Sequence, residues 1–450
     1  MTAPSSGLSS GASSGPASGA QAQPLRIALA GLGTVGAGVI RLLETNKELI
    51  ARRAGRPIEV VAVSARDRSK DRGVDLSRYR WDDDMDDMAD HPDVDTVVEL
   101  IGGADGPALT LARNALKAGK PFVTANKAMI AHHGLALAQA AEAAGVGLKY
   151  EAAVAGGIPV IKGLREGAAA NDISRVYGIL NGTCNYILTT MEKDGRDFDV
   201  VLKEAQDKGF AEADPTFDID GIDAAHKLAI LASLCFGTAL DLARVETDGI
   251  RHITAGDIAE ADDLGYRIRL VGAAVGTEDG MLQRVAPMLV PMSHPLAHVD
   301  GPTNAVVAEG NYVGRLLFQG AGAGDGPTAS AVVADLIDIA RGEVGPAFAM
   351  PIASLKSADP ADPGERVERN YVRFGVEDRL GALAEITAAM RDTGVSIESV
   401  TQRGHTSEGG VFVAVVTHEC KVRCINDMVQ RLAKSEMVTG APLVLPLLDD

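Results

Sequence analysis

An acidic stretch near the middle of the sequence, GFAEADPTFDIDGIDAAHK, has residue types that could perform chemistry. It runs from Gly209 to Lys227, and its carboxylates are Glu212, Asp214, Asp218, Asp220 and Asp223. Acids grouped around one lysine are typical of three things: a cation site, a solvated charged loop, or a catalytic centre with a lysine proton donor. The spacing of the residues helps to separate these alternatives.

A calcium loop of the EF-hand type is excluded by that spacing. With Asp218 and Asp220 at positions 3 and 5 of such a loop, position 12 falls on Lys227, and an ammonium cannot bind calcium. The segment IDAAHKLAILASL has helical apolar periodicity, which places Asp223 and Lys227 on one face, one turn apart. An acid leading a lysine by four residues is also an ordinary stabilising pair, so a solvated loop and a surface helix remain an alternative.

Composition narrows the class of protein. The chain has 450 residues, enough for about three domains, and its 46% apolar and 23% charged residues are ordinary for a globular protein. A formal net charge of −18 argues against binding to nucleic acid or to an anionic membrane, because both require clustered Lys and Arg. The uncharged stretch Leu228–Leu240 is too short to cross a bilayer.

The N-terminal residues 1–24 are rich in Ser, Gly and Ala and lack the features of a secretion signal or transit peptide, so we expect a disordered tail. The cysteines are Cys184, Cys235, Cys420 and Cys424. Their spacing indicates neither a disulfide framework nor a zinc site, and the nine histidines are scattered. Reduced thiols and a cytoplasmic location are therefore expected.

The N-terminal third reads as a dinucleotide-binding domain. In LRIALAGLGTVGAGVIRLLE an apolar strand leads through glycines 31, 33 and 36 into a helix. Glycines at this spacing permit a tight turn and let a pyrophosphate approach the helix N-terminus, although a purely structural turn is the alternative. The predicted cofactor contacts of this turn are Gly31, Leu32, Gly33, Thr34, Val35 and Gly36. Further alternating strands and helices predict a doubly wound parallel sheet, a Rossmann-type α/β domain spanning residues 25–153.

Three more segments follow this domain. Residues 154–347 predict a mixed α+β domain whose last helix returns to the nucleotide domain. Residues 348–369, which include the Pro- and Asp-rich SADPADPGE, predict a linker. Residues 370–450 spell β-α-β-β-α-β, a small ferredoxin-like unit.

Cofactor choice follows from the end of the second strand, where NAD-selective sites usually place an acid. Here Ser64-Ala65-Arg66 is followed by Arg68 and Lys70, a basic group suited to the 2′-phosphate of NADP. Asp67 and the alternative of a solvated basic loop keep NAD open. Gly102, after the strand DTVVEL, and Gly322 and Gly324, in a later Gly-rich turn, are further candidates for approach to the cofactor. A simple turn at the entry to a helix is the alternative for Gly322 and Gly324.

The acidic stretch resembles the signature of homoserine dehydrogenase. The matching positions are Ala205, Gly209, Phe210, Asp214, Pro215, Asp218, Gly221, Asp223 and Lys227. GLGTVG, TANK, NGTCNYIL and EADP occur in the order of that family, so the resemblance spans residues 25–347, and the C-terminal unit resembles an ACT domain. The resemblance implies that residues 154–347 are the α+β catalytic and dimerisation domain. It also implies reversible NAD(P)H-dependent reduction of L-aspartate 4-semialdehyde to L-homoserine, in threonine, methionine and isoleucine biosynthesis.

The resemblance also implies roles for individual residues. Lys227 donates the proton to the developing alkoxide, best if burial lowers its pKa toward neutrality, and Asp223 is its partner. Glu212 and Asp218 hold the amino or hydroxyl end of the substrate, and Lys127 lies near the nicotinamide and substrate. A surface lysine in a turn is the alternative for Lys127.

Two further expectations follow from the family. The loop that begins at Glu151 resembles the family loop that binds a monovalent cation, Na⁺ or K⁺. The ligands that this resemblance implies are the Glu151 carboxylate and the carbonyls of Val154, Gly156 and Ile158. A Gly-rich strand exit is the alternative. The ACT unit implies feedback inhibition by L-threonine and a homo-oligomer, or an ACT unit kept only for dimerisation.

Two rival functions remain. A cysteine-dependent semialdehyde dehydrogenase would need Cys184 as its nucleophile, but the acidic stretch with Lys227 has no part in thioester chemistry. A non-catalytic sensor of dinucleotide and amino acid would share the fold, yet would not need Lys227 beside Asp223.

Overall fold

Alternating strands and helices build the first domain in the computed structural model, which describes residues 22–277, 280–357, 361–403 and 410–448. Its strands are β1 Leu25–Ala30, β2 Ile58–Ser64, β3 Arg80–Trp81, β4 Thr96–Glu99, β5 Phe122–Thr124 and β6 Leu148–Lys149. Its helices are α1 Thr34–Thr45, α2 Lys47–Ala54, α3 Asp87–Asp90, α4 Pro107–Lys117 and α5 Lys127–Ala144. The sequence predicts disorder for residues 1–24. Only residues 22–24 of that segment lie in the described part of the chain.

The first sheet has the strand order β3-β2-β1-β4-β5-β6, and its strands pair in parallel. Helices cover both faces of such a sheet, which is why β1 is almost wholly apolar and why nearly all residues of β1 and β4 are buried. The order reverses at β1, and ligands of open α/β sheets bind at such a switch point, beyond the carboxyl ends of the strands.

The second domain surrounds a mixed sheet. Its helices are α6 Val160–Lys162, α7 Gly182–Asp194, α8 Phe198–Asp207, α9 Thr216–Ile219, α10 Ile222–Phe236, α11 Ala255–Asp263 and α12 Asp325–Ala340. Its strands are β7 Ile173–Ile179, β8 Glu246–Thr247, β9 Tyr266–Thr277, β10 Gly280–Pro291, β11 Thr303–Gly310 and β12 Gly314–Ala321, in the order β12-β11-β7-β9-β10-β8.

Two helices of the central domain pack against the nucleotide domain. Helix α10 is apolar around nearly its whole circumference and is buried between α5 and the central sheet. It begins after Gly221 and ends before Gly237, both in the left-handed conformation that favours glycine. Helix α12 leaves the central domain and packs on α1, so the chain returns to the nucleotide domain.

The C-terminal domain is a four-stranded antiparallel sheet covered by two helices. Its elements are β14 Asn370–Val376, α13 Ala382–Asp392, β15 Ile397–Arg403, β16 Val411–Thr417, β17 Cys420–Lys421, α14 Val422–Leu432 and β18 Val438–Pro446. The sheet order is β15-β16-β14-β18. The β-α-β-β-α-β pattern and the three-part fold class predicted from the sequence are confirmed.

The predicted linker is partly structured. Strand β13 (Val367–Glu368) pairs with β17, and Glu368 Oε2 lies 2.7 Å from Arg284 of β10. At the far end of the domain, the amide of Leu448 donates to the Leu289 carbonyl of the same strand β10 at 2.8 Å. The C-terminal domain is thus attached to the central sheet at both of its ends.

Candidate active site

The Gly-rich turn between β1 and α1 is shaped for close contact with a ligand. Gly31 has φ +101°, and a Cβ there would lie 2.5 Å from the Leu100 carbonyl oxygen. A Cβ on Gly36 would lie 2.1 Å from the carbonyl oxygen of Gly31, whereas one on Gly33 would meet no described atom within 4 Å. No side chain in the described part caps α1. The exposed amides at the positive end of this helix suit a pyrophosphate, so the turn fits a dinucleotide.

The loop after β2 is held against this turn. Arg72 Nε donates to the Leu32 carbonyl at 2.9 Å, and the Asp67 carboxylate accepts from the amide and hydroxyl of Ser69 at 2.8 and 2.7 Å. The Ser69 hydroxyl and amide lower the pKa of Asp67. Arg66 is exposed at the carboxyl end of β2, and Arg68 stacks on Trp81 at 5.6 Å. Asp67, the acid that left the choice between NADP and NAD open in the sequence, is therefore hydrogen-bonded within its own loop.

Gly102 follows β4 in a turn organised by Glu99. The carboxylate of Glu99 accepts from the amides of Ile101 and Gly102 at 2.6 and 2.9 Å and from the Thr124 hydroxyl at 2.6 Å. Gly102 has φ +90°, which favours glycine. Its amide is thus used within the protein, and only its carbonyl and its lack of a side chain remain for a ligand.

A cavity of about 1010 Å³ lies between the nucleotide domain and the central domain. The predicted site residues that line it are Val35, Lys127, Gly156, Asp218, Asp223, Lys227, Gly322 and Gly324. A second cavity of about 600 Å³, between the central sheet and residues 361–368, contains none of the predicted site residues in its lining. The chemistry predicted from the sequence therefore belongs to the first cavity.

Asp223 is at the centre of the charged groups in this cavity. Lys227 Nζ donates to Asp223 Oδ2 at 2.7 Å and to the Leu180 carbonyl at 2.6 Å. Lys127, the first residue of α5, brings its Nζ to 3.1 Å from Asp223 Oδ1. Burial alone would raise the pKa of Asp223, but Lys227 and then Lys127 outweigh it and hold that pKa well below its ordinary range.

Asp218 occupies a different electrostatic environment. Burial, opposed by a hydrogen bond from Asn181, raises the pKa of its carboxyl group, and the charge of Asp223 adds to the increase. Its neighbour in the sequence, Phe217, contacts His226 edge to face at 5.3 Å. Burial, and next the neighbouring His132, lower the pKa of His226 to about 4, so this ring is neutral at pH 7.

Glu212 is not brought into the cavity. Its side chain is exposed, while Gly209 and Phe210 of the same segment line the cavity mouth. Cys184 is buried, and its thiol donates to the Asp218 carbonyl at 3.2 Å. Burial raises the pKa of Cys184 well above its ordinary value, which opposes the thiolate that a cysteine-dependent mechanism needs.

The predicted cation loop is a buried turn with a satisfied carboxylate. Glu151 Oε1 and Oε2 each accept a backbone amide at the start of α6, from Ile161 and Lys162, at 2.9 Å. Burial, and next Asp335, raise the pKa of Glu151 to about 7. The carbonyl of Ile158 accepts from the amide of Val160 at 2.7 Å. No ion pair to Glu151 occurs among the described residues.

Sequence reasoning missed two asparagines of this cavity. Asn181 precedes α7 and hydrogen-bonds Asp218 and Asp223, and its place in NGTCN before a helix was the available signal. Asn304 of β11 is 1% exposed, and its amide nitrogen has no hydrogen-bond partner in the described part of the chain. A Cβ on Gly322 would lie 1.8 Å from the Asn304 side-chain oxygen, so this glycine makes room for the asparagine.

Comparison with protein families gives matches along most of the chain. Residues 31–151 match the model "Homoserine dehydrogenase, NAD binding domain", residues 159–337 match "Homoserine dehydrogenase", and residues 370–421 match "ACT domain". No helix in the described ranges is long and apolar enough to span a membrane.

Individual relatives agree with these matches. A homoserine dehydrogenase of Pseudomonas aeruginosa is 45% identical over 425 residues, covering 93% of this chain and 97% of the relative. One from Bacillus subtilis is 38% identical, covering 92% and 96%. The crystal structure of a homoserine dehydrogenase from Thiobacillus denitrificans is 42% identical and superposes with a TM-score of 0.89, covering 95% of this chain and 99% of that one.

Proposed function

Because the chain belongs to the homoserine dehydrogenase family and is an NAD(P)-dependent oxidoreductase, we propose that it interconverts L-aspartate 4-semialdehyde and L-homoserine in threonine, methionine and isoleucine biosynthesis. The observation that carries this proposal is the group formed by Lys227, Asp223 and Lys127 at the cavity. It joins a proton donor on α10 to a lysine at the carboxyl edge of β5, where a nicotinamide is expected.

Lys227 is the proposed proton donor. A nicotinamide held at the Gly-rich turn would supply the hydride for the carbonyl carbon of the semialdehyde. Lys227 supplies the proton that the resulting oxygen requires, and the reverse reaction returns that proton to the lysine amine. Leu180 and Asp223 accept two N–H groups of the ammonium, which leaves the third for the substrate oxygen. Asp223 thus fixes the ammonium while Lys127 adds positive charge next to the same oxygen.

The amino-acid end of the substrate carries an ammonium and a carboxylate. We assign the ammonium to Asp218, which lines the cavity, and to Glu212, which must swing inward with the segment that begins at Gly209. Gly182 and Thr183, the first residues of α7, also line the cavity. Their amides at the positive end of a helix suit the carboxylate.

NADP is the proposed cofactor, and NAD is the alternative. Arg66 is exposed next to the position of the adenosine ribose, while Asp67 is bound to Ser69. Asn304, whose buried amide nitrogen has no acceptor among the described residues, offers a hydrogen bond at the central-domain side of the cavity. Gly322 and Gly324 line the cavity beside it. The lack of a side chain at Gly322 makes room for Asn304, so we propose that its backbone approaches the cofactor, while the missing side chain of Gly324 leaves space for it.

A monovalent cation, Na⁺ or K⁺, is proposed at Glu151 with the carbonyls of Val154, Gly156 and Ile158. The support is a buried carboxylate with a raised pKa, whose oxygens have amide donors but no ion pair among the described residues. A cation there would neutralise a charge that burial disfavours.

The ACT domain is the proposed site of an amino-acid effector, L-threonine, within a homo-oligomer. Gly381 has φ +99° and precedes α13, which no described side chain caps, so its amides are available to a carboxylate. Leu380 beside it is 99% exposed, as expected for a side chain that a ligand or a second subunit covers.

The proposed activity is tested by following NADPH formation through its absorbance at about 340 nm. Homoserine is the substrate, and serine, whose side chain is shorter, is the control. Homoserine-dependent formation of NADPH is the expected result. A chain that binds NADP but does not oxidise homoserine at any pH would be a sensor, and the proposal would fail.

A further inference from the structure

Asn181 makes a set of contacts that uses its whole side chain. Its amide nitrogen donates to Asp218 Oδ1 and to Asp223 Oδ2, both at 2.8 Å. Its oxygen accepts from the amide of Cys184 at 2.8 Å and thereby caps α7. Because the oxygen is held by the helix, the orientation of the amide is fixed and both of its N–H bonds point at carboxylates.

The two carboxylates need a neutral donor between them. Asp218 and Asp223 carry like charges, and placing a third charged side chain between them would change the charge of the whole cavity. A buried carboxylate without donors is costly, and an amide satisfies both without adding charge. Asn181 is itself 3% exposed, so water does not replace it readily.

We propose that Asn181 is a positioning residue: its single amide binds the carboxylates of Asp218 and Asp223 together and holds them in the orientation in which they meet Lys227 and the substrate. This inference rests on the proposed function, because it gives Asn181 a part in that reaction. Capping of α7 alone would require only the side-chain oxygen of Asn181. It does not explain why the side-chain nitrogen donates to both Asp218 and Asp223.

The position of Asp218 in the site predicts a dependence on pH. Burial raises the pKa of Asp218, and the Asn181 hydrogen bond lowers it. The titratable groups around the two carboxylates come from α5, α7, α9 and α10 and the residue after α9: Lys127, Cys184, Asp218, Asp220, Asp223, His226 and Lys227. Without the amide, Asp218 should take up a proton at higher pH than it does with the amide in place.

Asn181→Ser is the informative variant, because serine also caps a helix but cannot reach both carboxylates. We expect kcat/KM for homoserine to fall by about tenfold or more, with KM raised and NADPH affinity unchanged, the scale of a lost hydrogen bond to a charged group. The acid limb of its pH profile should move to higher pH. Asn181→Asp, which keeps the cap but repels both acids, should lose more.

Asn185→Ser is the matched control. Asn185 lies one turn further along α7, and its amide donates to the carbonyls of Val299 and Gly301 at 2.8 and 2.9 Å, with no carboxylate involved. This variant should lower the urea midpoint of unfolding without moving the acid limb. A structural defect in α7 is thereby separated from a change at the carboxylates.

Unfolding by urea at several pH values supplies a readout besides activity. The stability lost in Asn181→Ser should shrink as pH falls, because the hydrogen bond to Asp218 favours its ionised form. A loss that is equal at every pH, or a pH profile identical to that of the parent, would overturn the inference while the proposed function stands. A parent chain that cannot oxidise homoserine would instead overturn the proposed function, and the role of Asn181 with it.

Discussion

The ammonium of Lys127 lies 3.1 Å from Oδ1 of Asp223, although the two residues belong to different domains. The other oxygen of Asp223 accepts from Lys227 at 2.7 Å, so one carboxylate binds two lysines across the cavity. The contact therefore joins the nucleotide domain to α10 at the point where hydride and proton transfer are proposed to meet. Replacing any one of the three residues should therefore change the positions and contacts of the other two.

Replacing Lys227 by Met should leave the fold and NADP binding intact and lower kcat by at least about 10²-fold, the scale of a lost general acid. The measurement is steady-state homoserine oxidation across pH. Lys203→Met is the matched control, because Lys203 pairs with Asp207 four residues away but is exposed on α8. If Lys227→Met retained near-normal kcat at every pH, Lys227 would have no part in proton transfer.

Asp223→Asn should lower kcat for homoserine oxidation by less than Lys227→Met does. The neutral amide oxygen can still accept a hydrogen bond from the ammonium of Lys227 and hold it in place, although the charge-assisted part of the contact is lost. The measurement is steady-state homoserine oxidation by the two variants side by side. If Asp223→Asn were as inactive as Lys227→Met, the charge of Asp223 and not only its position would be required.

Arg66→Ala should raise KM for NADP by about tenfold or more, the scale of one charge-assisted hydrogen bond. KM for NAD should hardly change, because the 2′-hydroxyl does not carry the phosphate charge. Arg72→Ala is the contrasting variant: Arg72 holds the loop to the Leu32 carbonyl, so both cofactors should bind less tightly. Equal losses for both cofactors in Arg66→Ala would assign Arg66 to loop stability.

Gly381→Asp should weaken inhibition by L-threonine by about tenfold or more while kcat is retained, because the new carboxylate repels that of the ligand at the start of α13. Gly394→Asp places the same charge just beyond the other end of α13 and should leave inhibition intact. Inhibition constants for threonine decide between the outcomes. A parent enzyme that ignores threonine at about millimolar concentration would remove the regulatory proposal alone.

Truncation after Pro363 is a harsher test of the same proposal. It removes Glu368, which pairs with Arg284 at 2.7 Å, and Leu448, which packs on the central sheet. We expect loss of threonine inhibition together with a lower urea midpoint, because the central sheet loses the contacts that Glu368 and Leu448 make with it. The Gly381 variant avoids this second effect.

Glu151→Gln should become more stable relative to the parent as pH rises from about 5 to about 8. The pKa of Glu151 is raised from 4.5 to about 7, so the folded parent holds a proton that the unfolded chain has released, and its stability falls over this window. The relative change is at most about 3 kcal/mol. Added KCl should reduce it if a cation binds there. If the free energy of unfolding in urea differed between variant and parent by the same amount at both pH values, the raised pKa of Glu151 would be contradicted.

The sequence alone determined the features that depend on neighbouring residues. The glycines between β1 and α1, the spacing of Asp223 and Lys227 on one helix and the β-α-β-β-α-β order of the C-terminal unit were predicted from local periodicity, and the fold class and family were confirmed. Such features follow from the period of a helix or strand and from the conformational freedom of glycine, which operate over a few residues.

Only the tertiary structure decided which distant groups meet. Packing of α5 on α10 brings Lys127 to Asp223, and the start of α7 brings Asn181 to the same carboxylate. The same packing leaves Glu212 exposed and gives both oxygens of Glu151 to the amides of α6. Periodicity states which face of an element is apolar but not which element covers it. These contacts are therefore fixed by the way the layers pack together, and the sequence pattern by itself does not contain them.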